Sequence, residues 1–172
     1  MTDLTMLFSE LIRFETELWN SIDARLRVEH NLPLSHFEPM QVMARRDACR
    51  VGDIARELLI TVGGASKLVD RIEAAGLCRR CTMADDRRSS VLQLTPKGRN
   101  RFKQATKTFE EELAARLGAV LSVQALKQLS DTLAILRSAS SLGSPRSTEA
   151  VATGNGGPSV NRTSVRTANG EE

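Results

Sequence analysis

Between Leu4 and Leu26 an apolar residue recurs at every third or fourth position: Leu4, Leu7, Leu11, Phe14, Leu18, Ile22 and Leu26, with Phe8, Ile12 and Trp19 beside them. On an α-helix these positions form one stripe some seven turns long. A chain of 172 residues builds a core of modest size, and a helix this long and one-sided outruns it. The stripe therefore requires a partner helix. Asn31, Leu32 and Pro33 end the segment, because the residue before a proline is driven out of the helical region.

Three more helices are expected before the pattern changes. Ser35 can cap the second, with Glu38 completing a capping box, Pro39 in the first turn, and Phe37, Met40, Val42 and Met43 apolar. A short connector through Cys49 leads to a third helix over roughly Gly52–Leu59, with Ile54, Ala55 and Leu58 inward. Thr61 caps a fourth, which carries Ala65, Leu68, Val69, Ile72 and Ala75 and stops at Gly76.

Two short strands follow, Leu77–Met83 and Ser89–Leu94, flanking the charged turn ADDRR. A fifth helix opens at LTPKG, with Thr95 as N-cap and Pro96 at its first position. Phe102, Ala105, Phe109, Leu113 and Leu117 give its stripe. The sixth carries Val123, Leu126, Leu129, Leu133 and Leu136, whose steps of three and four residues make a narrow seam suited to helix-on-helix packing. From Gly143 the chain turns to Gly, Ser, Thr, Asn and Pro without periodicity, a composition that does not offset its own ordering entropy. Residues 143–172 are therefore expected to be a disordered tail.

Charge is concentrated in the middle. Residues 50–107 hold thirteen Lys/Arg against six Asp/Glu, whereas residues 1–49 hold five against eight. A basic block inside a folded segment is the electrostatic footprint of a phosphate-backbone binder. No run of about 18 apolar residues is present, so no membrane span is expected. The N-terminus lacks the basic region and cleavage site of a signal peptide. A cytoplasmic protein with reduced thiols is expected.

The order helix–helix–helix–strand–turn–strand over residues 35–94 reads as a helix-turn-helix with a β-hairpin wing, the third and fourth helices forming the motif. The second helix of such a motif enters the major groove by its N-terminal residues. Here these are Val62, Gly63, Gly64, Ser66 and Lys67, with Arg71 a turn further. The two glycines let that helix approach DNA closely. At the wing, Asp85, Asp86, Arg87 and Arg88 crowd the hairpin tip. An arginine there can enter a minor groove, held in orientation by a neighbouring aspartate.

The stretch ITVGGASKLVDRIEAAGLCRR, continuing CTMADDRRSSVLQLTPKGRNRF, resembles the core of MarR-family regulators. In that family a recognition helix ending in LVDRLEAAGLV-R leads to a wing bearing D-x-R, then to LT-x-x-G. Asp86 and Arg88 fall on the D-x-R positions, which makes Arg88 the implied minor-groove residue. The likeness is tight over residues 50–102 and looser over 4–142; Cys78 stands where the family usually has valine. It implies a mainly α fold of about six helices plus a two-stranded β-hairpin wing, with an intertwined helical dimer interface. Residues 1–142 would form the MarR-like domain, with 1–31 and 108–142 as dimerisation helices and 34–107 as the winged helix-turn-helix. The implied function is a sequence-specific transcriptional regulator that binds a pseudo-palindromic operator in double-stranded DNA as a homodimer. Family habit further implies repression of nearby genes, released by a small, aromatic or phenolic effector. In the crevice between dimerisation helices and reading head, Trp19, Phe37 and Met40 would supply apolar walls and Arg13 or His36 a polar contact.

The alternative is a redox-sensing regulator that uses Cys49, Cys78 or Cys81, with Arg79 and Arg80 lowering a thiol pKa. Cys78 and Cys81 should not bridge each other. Three residues apart on a regular strand they point to opposite faces about 10 Å apart, beyond the reach of a disulfide. A zinc site lacks ligands, since only His30, His36 and Cys49 remain to complete C-x-x-C. No cofactor is expected. No phosphate loop, nucleophile elbow or H-E-x-x-H occurs, so an enzyme is not expected.

Overall fold

The structure is a computed structural model that describes residues 3–83 and 86–142, without the side chains of 82, 83, 86–89 and 140–142. The chain divides into two units, Met1–Asp131 and Thr132–Glu172. The expected tail, 143–172, lies outside the described residues, as does Asp85.

The first helix, α1, spans Leu4–His30 and is capped at its start by Asp3, whose carboxylate accepts from the amides of Thr5 and Met6. It ends where the sequence says it should: Asn31 takes a left-handed backbone, φ 47°, and returns its amide to the last carbonyls. Only the second half of α1 packs inward, with Ile22 and Leu26 buried. The first half presents Leu4, Leu7, Phe8, Leu11, Ile12 and Phe14 to solvent, Leu4 at 75% and Phe8 at 64%.

Helix α2, Leu34–Ala44, starts one residue before the expected Ser35 cap. Pro33 is the N-cap and has no side-chain acceptor to offer. The acceptor comes instead from α1, where Asp23 Oδ1 takes the Leu34 amide at 2.7 Å. Pro39 consequently sits inside the helix rather than in its first turn. Helix α3 is Val51–Glu57, one turn of which is secured by the Asp53 carboxylate accepting from the Arg50 amide at 2.9 Å. Helix α4 is Val62–Ala74, and its Thr61 hydroxyl accepts from the Gly64 amide as the sequence predicts.

The wing is a two-stranded antiparallel sheet of β1, Cys78–Met83, and β2, Asp86–Leu94. The second strand begins three residues earlier than expected: Asp86 pairs with Met83, and Arg87 and Arg88 lie in the irregular stretch before the next pair, Thr82 with Ser90. The register pairs Cys78 with Leu94 and Cys81 with Val91, and slips between Thr82 and Met83. Cys49 adds one rung on β2, where the Leu92 amide donates to its carbonyl at 2.7 Å.

Helix α5, Pro96–Leu113, is capped by Thr95 and continues into a π-helical turn, Ala114–Gly118, that the sequence did not announce. Its start lies so close to the sheet that a Cβ on Gly98 would come within 1.8 Å of the Leu77 carbonyl oxygen. Gly76 takes φ 70° between α4 and β1, a conformation that side chains resist. Helix α6 covers Val123–Leu142.

The core of the first unit lies between the second half of α1, α2, α3, α4, the base of the sheet and α5. Phe37 is its centre, stacked on Phe102 at 5.2 Å and on Phe109 at 4.9 Å. The α1–α5 contact is polar at its edge. Glu112 accepts from Ser21, from Arg116 at 2.9 Å and from Arg25 at 3.2 Å. One turn away, Thr108 gives its only hydroxyl proton to Glu29 at 2.8 Å, so it accepts from Nε2 of His30 at 2.8 Å. Among the described residues, no helix is long and apolar enough to cross a membrane.

Candidate nucleic-acid interface

The turn between α3 and α4 is tight. The Ile60 amide returns to the Ala55 carbonyl at 3.0 Å, and Leu59 takes φ 54° with 91% of its surface exposed. This turn sets the angle at which α4 leaves the body. Ala65, Val69 and Ile72 are buried beneath it, which turns the opposite face outward.

That face carries the residues expected to read DNA. Val62 is 61% exposed at the first position, Gly63, Lys67 and Arg71 are exposed, and Gly64 and Ser66 are half-buried. Leu68, expected inside, is only half-buried. The free amides of a first turn and the helix dipole favour an anion at this end. A Cβ on Gly63 would meet nothing within 4 Å, so the fold itself does not require glycine there. A side chain at Gly64 would approach the Thr61 hydroxyl at 3.2 Å, pressing on the cap.

Arg80, expected only to lower a thiol pKa beside the cysteines, joins the wing to this helix. Its guanidinium donates to Asp70 at 2.6 Å and to Glu73, and its amide donates to Glu73 Oε1 at 2.8 Å. Two acids on α4 are thereby neutralised beside the face that carries the residues expected to read DNA. The signal available in the sequence was Asp70 and Glu73 three residues apart, hence on one helix face, ahead of a strand bearing arginines. Next to it Arg79 donates to Gln93 across the hairpin at 3.2 Å. The backbones of Asp86, Arg87 and Arg88 are in β2; their side chains lie outside the described residues.

The five residues expected to face an effector are scattered in environment. Phe37 and Met40 are wholly buried, Trp19 is half-buried against the core, and Arg13 is exposed beside Glu10 at 4.0 Å. His36 is half-buried and held below the usual histidine range, first by burial and then by the Arg71 and Arg27 guanidiniums. A cavity of about 500 Å³ lies elsewhere, beside Met43, Arg46, Gln93, Arg99 and Phe102.

All three cysteines are free. Burial pushes the Cys49 and Cys78 thiols up to about 11, so neither is a thiolate at neutral pH. Cys81 is half-exposed, with Sγ 3.5 Å from Gln93 Oε1. Among the described residues no three His, Cys, Asp or Glu side chains cluster as a metal site would need.

Comparison with known proteins agrees with this geometry. Residues 30–89 match the model of the MarR family. An uncharacterised HTH-type transcriptional regulator of Bacillus subtilis, YfiV, is 26% identical over 73 residues, which are 42% of this chain and 46% of that protein. The match thus spans about half the length of that relative. Among solved structures, the fold is shared with Sco3205 of Streptomyces coelicolor, a MarR family transcriptional regulator in complex with DNA. The two are 20% identical with a TM-score of 0.73, over 78% of this chain and 86% of the other. It is shared too with the organohalide-sensing regulator RdhR-CbdbA1625 in its 2,4-dichlorophenol-bound form. There the identity is 19% and the TM-score 0.71, over 81% and 82% of the two chains.

Proposed function

The winged helix of this chain belongs to the MarR family, and from that premise we propose that the protein is a sequence-specific repressor that binds a pseudo-palindromic operator as a homodimer and is released by a small effector. Family members are transcriptional regulators that bind DNA, not enzymes. The observation that carries the reading is the outward face of α4, where Val62, Gly63, Lys67 and Arg71 are exposed at the end of a Thr61-capped helix strapped to the wing by Arg80. Val62, Gly63, Gly64, Ser66 and Lys67 meet base edges in the major groove, and Arg71 stands a turn further along the same helix. Arg88 of the wing enters the flanking minor groove, with Asp86 and Arg87 beside it.

The dimer is supported by the first half of α1, whose Leu7, Leu11 and Phe14 expose 47%, 46% and 44% of their surface. A continuous apolar band of that length on one chain is covered by a second copy. Residues 143–172 are not needed for it. The effector reading is supported by the likeness to a structure that holds a phenol and by the solvent-open cavity against α5. DNase footprinting on the promoter beside its own gene, with excess competitor DNA, tests the reading. Protection of two half-sites about one turn apart is expected.

A further inference from the structure

The tip of α4 carries few polar groups, which limits what it can recognise. From Leu59 to Ala65 the chain runs Leu, Ile, Thr, Val, Gly, Gly, Ala. Thr61 is the one polar side chain in that run, and its hydroxyl oxygen already accepts from the Gly64 amide at 3.1 Å. Ser66 is half-buried, and the first charged side chain is Lys67. The bidentate pairs that single out guanine or adenine need guanidinium, ammonium or carboxamide groups. The tip itself offers none of them.

Leu59 narrows the choice further. Its backbone is left-handed, φ 54°, a conformation that glycine adopts freely and a side chain resists. Leu59 is nevertheless 91% exposed and stands outside the core. Neither the turn nor the packing calls for a leucine there, and strain without a structural return points to a function. Val62, at the first position of α4, is exposed too, and Ile60 between them is 37% exposed. Apolar side chains thus stand in water around the start of the helix.

This patch is continuous with the outward face of α4. Gly63 follows directly, where a Cβ would meet nothing within 4 Å, and exposed Lys67 and Arg71 lie one and two turns on. An apolar tip followed by cations on one helix face suits a polyanion that carries apolar groups of its own. In the major groove that group is the C5-methyl of thymine, and cytosine methylated at C5 presents the same one. We propose that Leu59 and Val62 form a seat for the C5-methyl group of a pyrimidine in each half-site. The side-chain-free Gly63 and Gly64 let the seat reach the base edge. The tip then reads methyl groups, while Lys67 supplies the polar contact behind it. This deepens the proposed function and rests on α4 entering the major groove.

The test is selection by the full wild-type chain from three random duplex libraries, made with thymidine, with deoxyuridine in its place, or with deoxyuridine and 5-methylcytosine. Deoxyuridine removes the methyl group and keeps every hydrogen-bonding group of thymine. Sites from the first library should carry thymine at one fixed half-site position. The same duplex with deoxyuridine there should bind about fourfold more weakly per half-site, the effect of burying one methyl group. Enrichment of 5-methylcytosine at that position in the third library extends the ligand to methylated cytosine; its absence assigns the methyl to thymine. In Leu59→Gly, which suits the turn, and in Val62→Ala, the ratio of thymine to deoxyuridine affinity should fall toward one. A general loss of affinity does not move that ratio, and the wild-type ratio needs no variant to fold. Equal wild-type affinity for the two duplexes overturns the proposal and leaves operator binding intact. An undiminished ratio in either variant also overturns it, as does loss of the dimer in Leu59→Gly, which puts a second copy on the patch. No enrichment from any library removes the proposal together with the proposed function.

Discussion

Arg80, on the first strand of the wing, donates to Asp70, on the outward face of α4, across 2.6 Å. The same guanidinium reaches Glu73 one turn on. The pair ties the wing to the helix and neutralises acids on the side of α4 proposed to meet phosphate. Both partners are partly solvated, Arg80 at 29% and Asp70 at 59% exposure, so the pair contributes only about 1 kcal/mol to folding. Arg80→Met is therefore expected to lower stability slightly and operator affinity much more. Chemical denaturation beside a DNA titration checks it; equal losses in both would reduce the clamp to a fold element.

Two glycines should respond in opposite directions. Gly98→Ala drives a Cβ into the Leu77 carbonyl and should cost about 3 kcal/mol of stability. Gly63→Ala meets nothing within 4 Å and should stabilise the helix by about 0.5 kcal/mol. Operator affinity of Gly63→Ala should nevertheless fall about tenfold, because the methyl group stands between α4 and the groove. Thermal melts and gel-shift titration on one preparation decide the signs.

Much of this arrangement was legible in the sequence because its causes are local. Thr61 and Thr95 cap their helices through amides three residues away, and Asn31 with Pro33 stops α1 by backbone geometry alone. What was missed has causes distant in sequence. The start of α2 depends on Asp23, eleven residues back and on another helix. The strap between Arg80, Asp70 and Glu73 needs the hairpin folded against α4 before it exists. The wing strand begins earlier than expected because a β ladder is held by backbone hydrogen bonds, which hydrophobic alternation does not report. The cavity beside Phe102 arises where four segments fail to close on one another, and no pattern in one segment encodes it.

Acid should loosen the α1–α5 contact. Glu112 is held down to about 2, from a usual 4.5, by hydrogen bonds from Ser21 and Arg116, then Arg25, against the opposing effect of burial. Its folded pKa is below its unfolded one, so its contribution is fully present above pH 4.5 and lost as pH falls toward 2. Urea midpoints should drop across that window, and Glu112→Gln should flatten the drop while lowering stability at neutral pH.

The apolar band on α1 should be needed for assembly but not for the fold of the first unit. Leu7→Asp with Leu11→Asp replaces side chains exposed in the single chain. The expected product keeps its helical circular dichroism and sediments as a monomer with little operator affinity. A variant that remains dimeric at micromolar concentration places the dimer contact elsewhere.

The central claim is that α4 reads bases while the wing supplies attraction. Selection of binding sites from random duplex DNA, run with the wild type, Lys67→Ala and Arg88→Ala, tests it most directly. The wild type should enrich a pseudo-palindrome with half-sites about one helical turn apart. Lys67→Ala should lose preference at defined half-site positions, where a mismatch normally costs ~1–3 kcal/mol. Arg88→Ala should bind more weakly to nearly all sequences and flatten the salt dependence, keeping the major-groove preferences. No enrichment by the wild type, or a Lys67→Ala profile identical to it while Arg88→Ala erases a major-groove preference, contradicts the account.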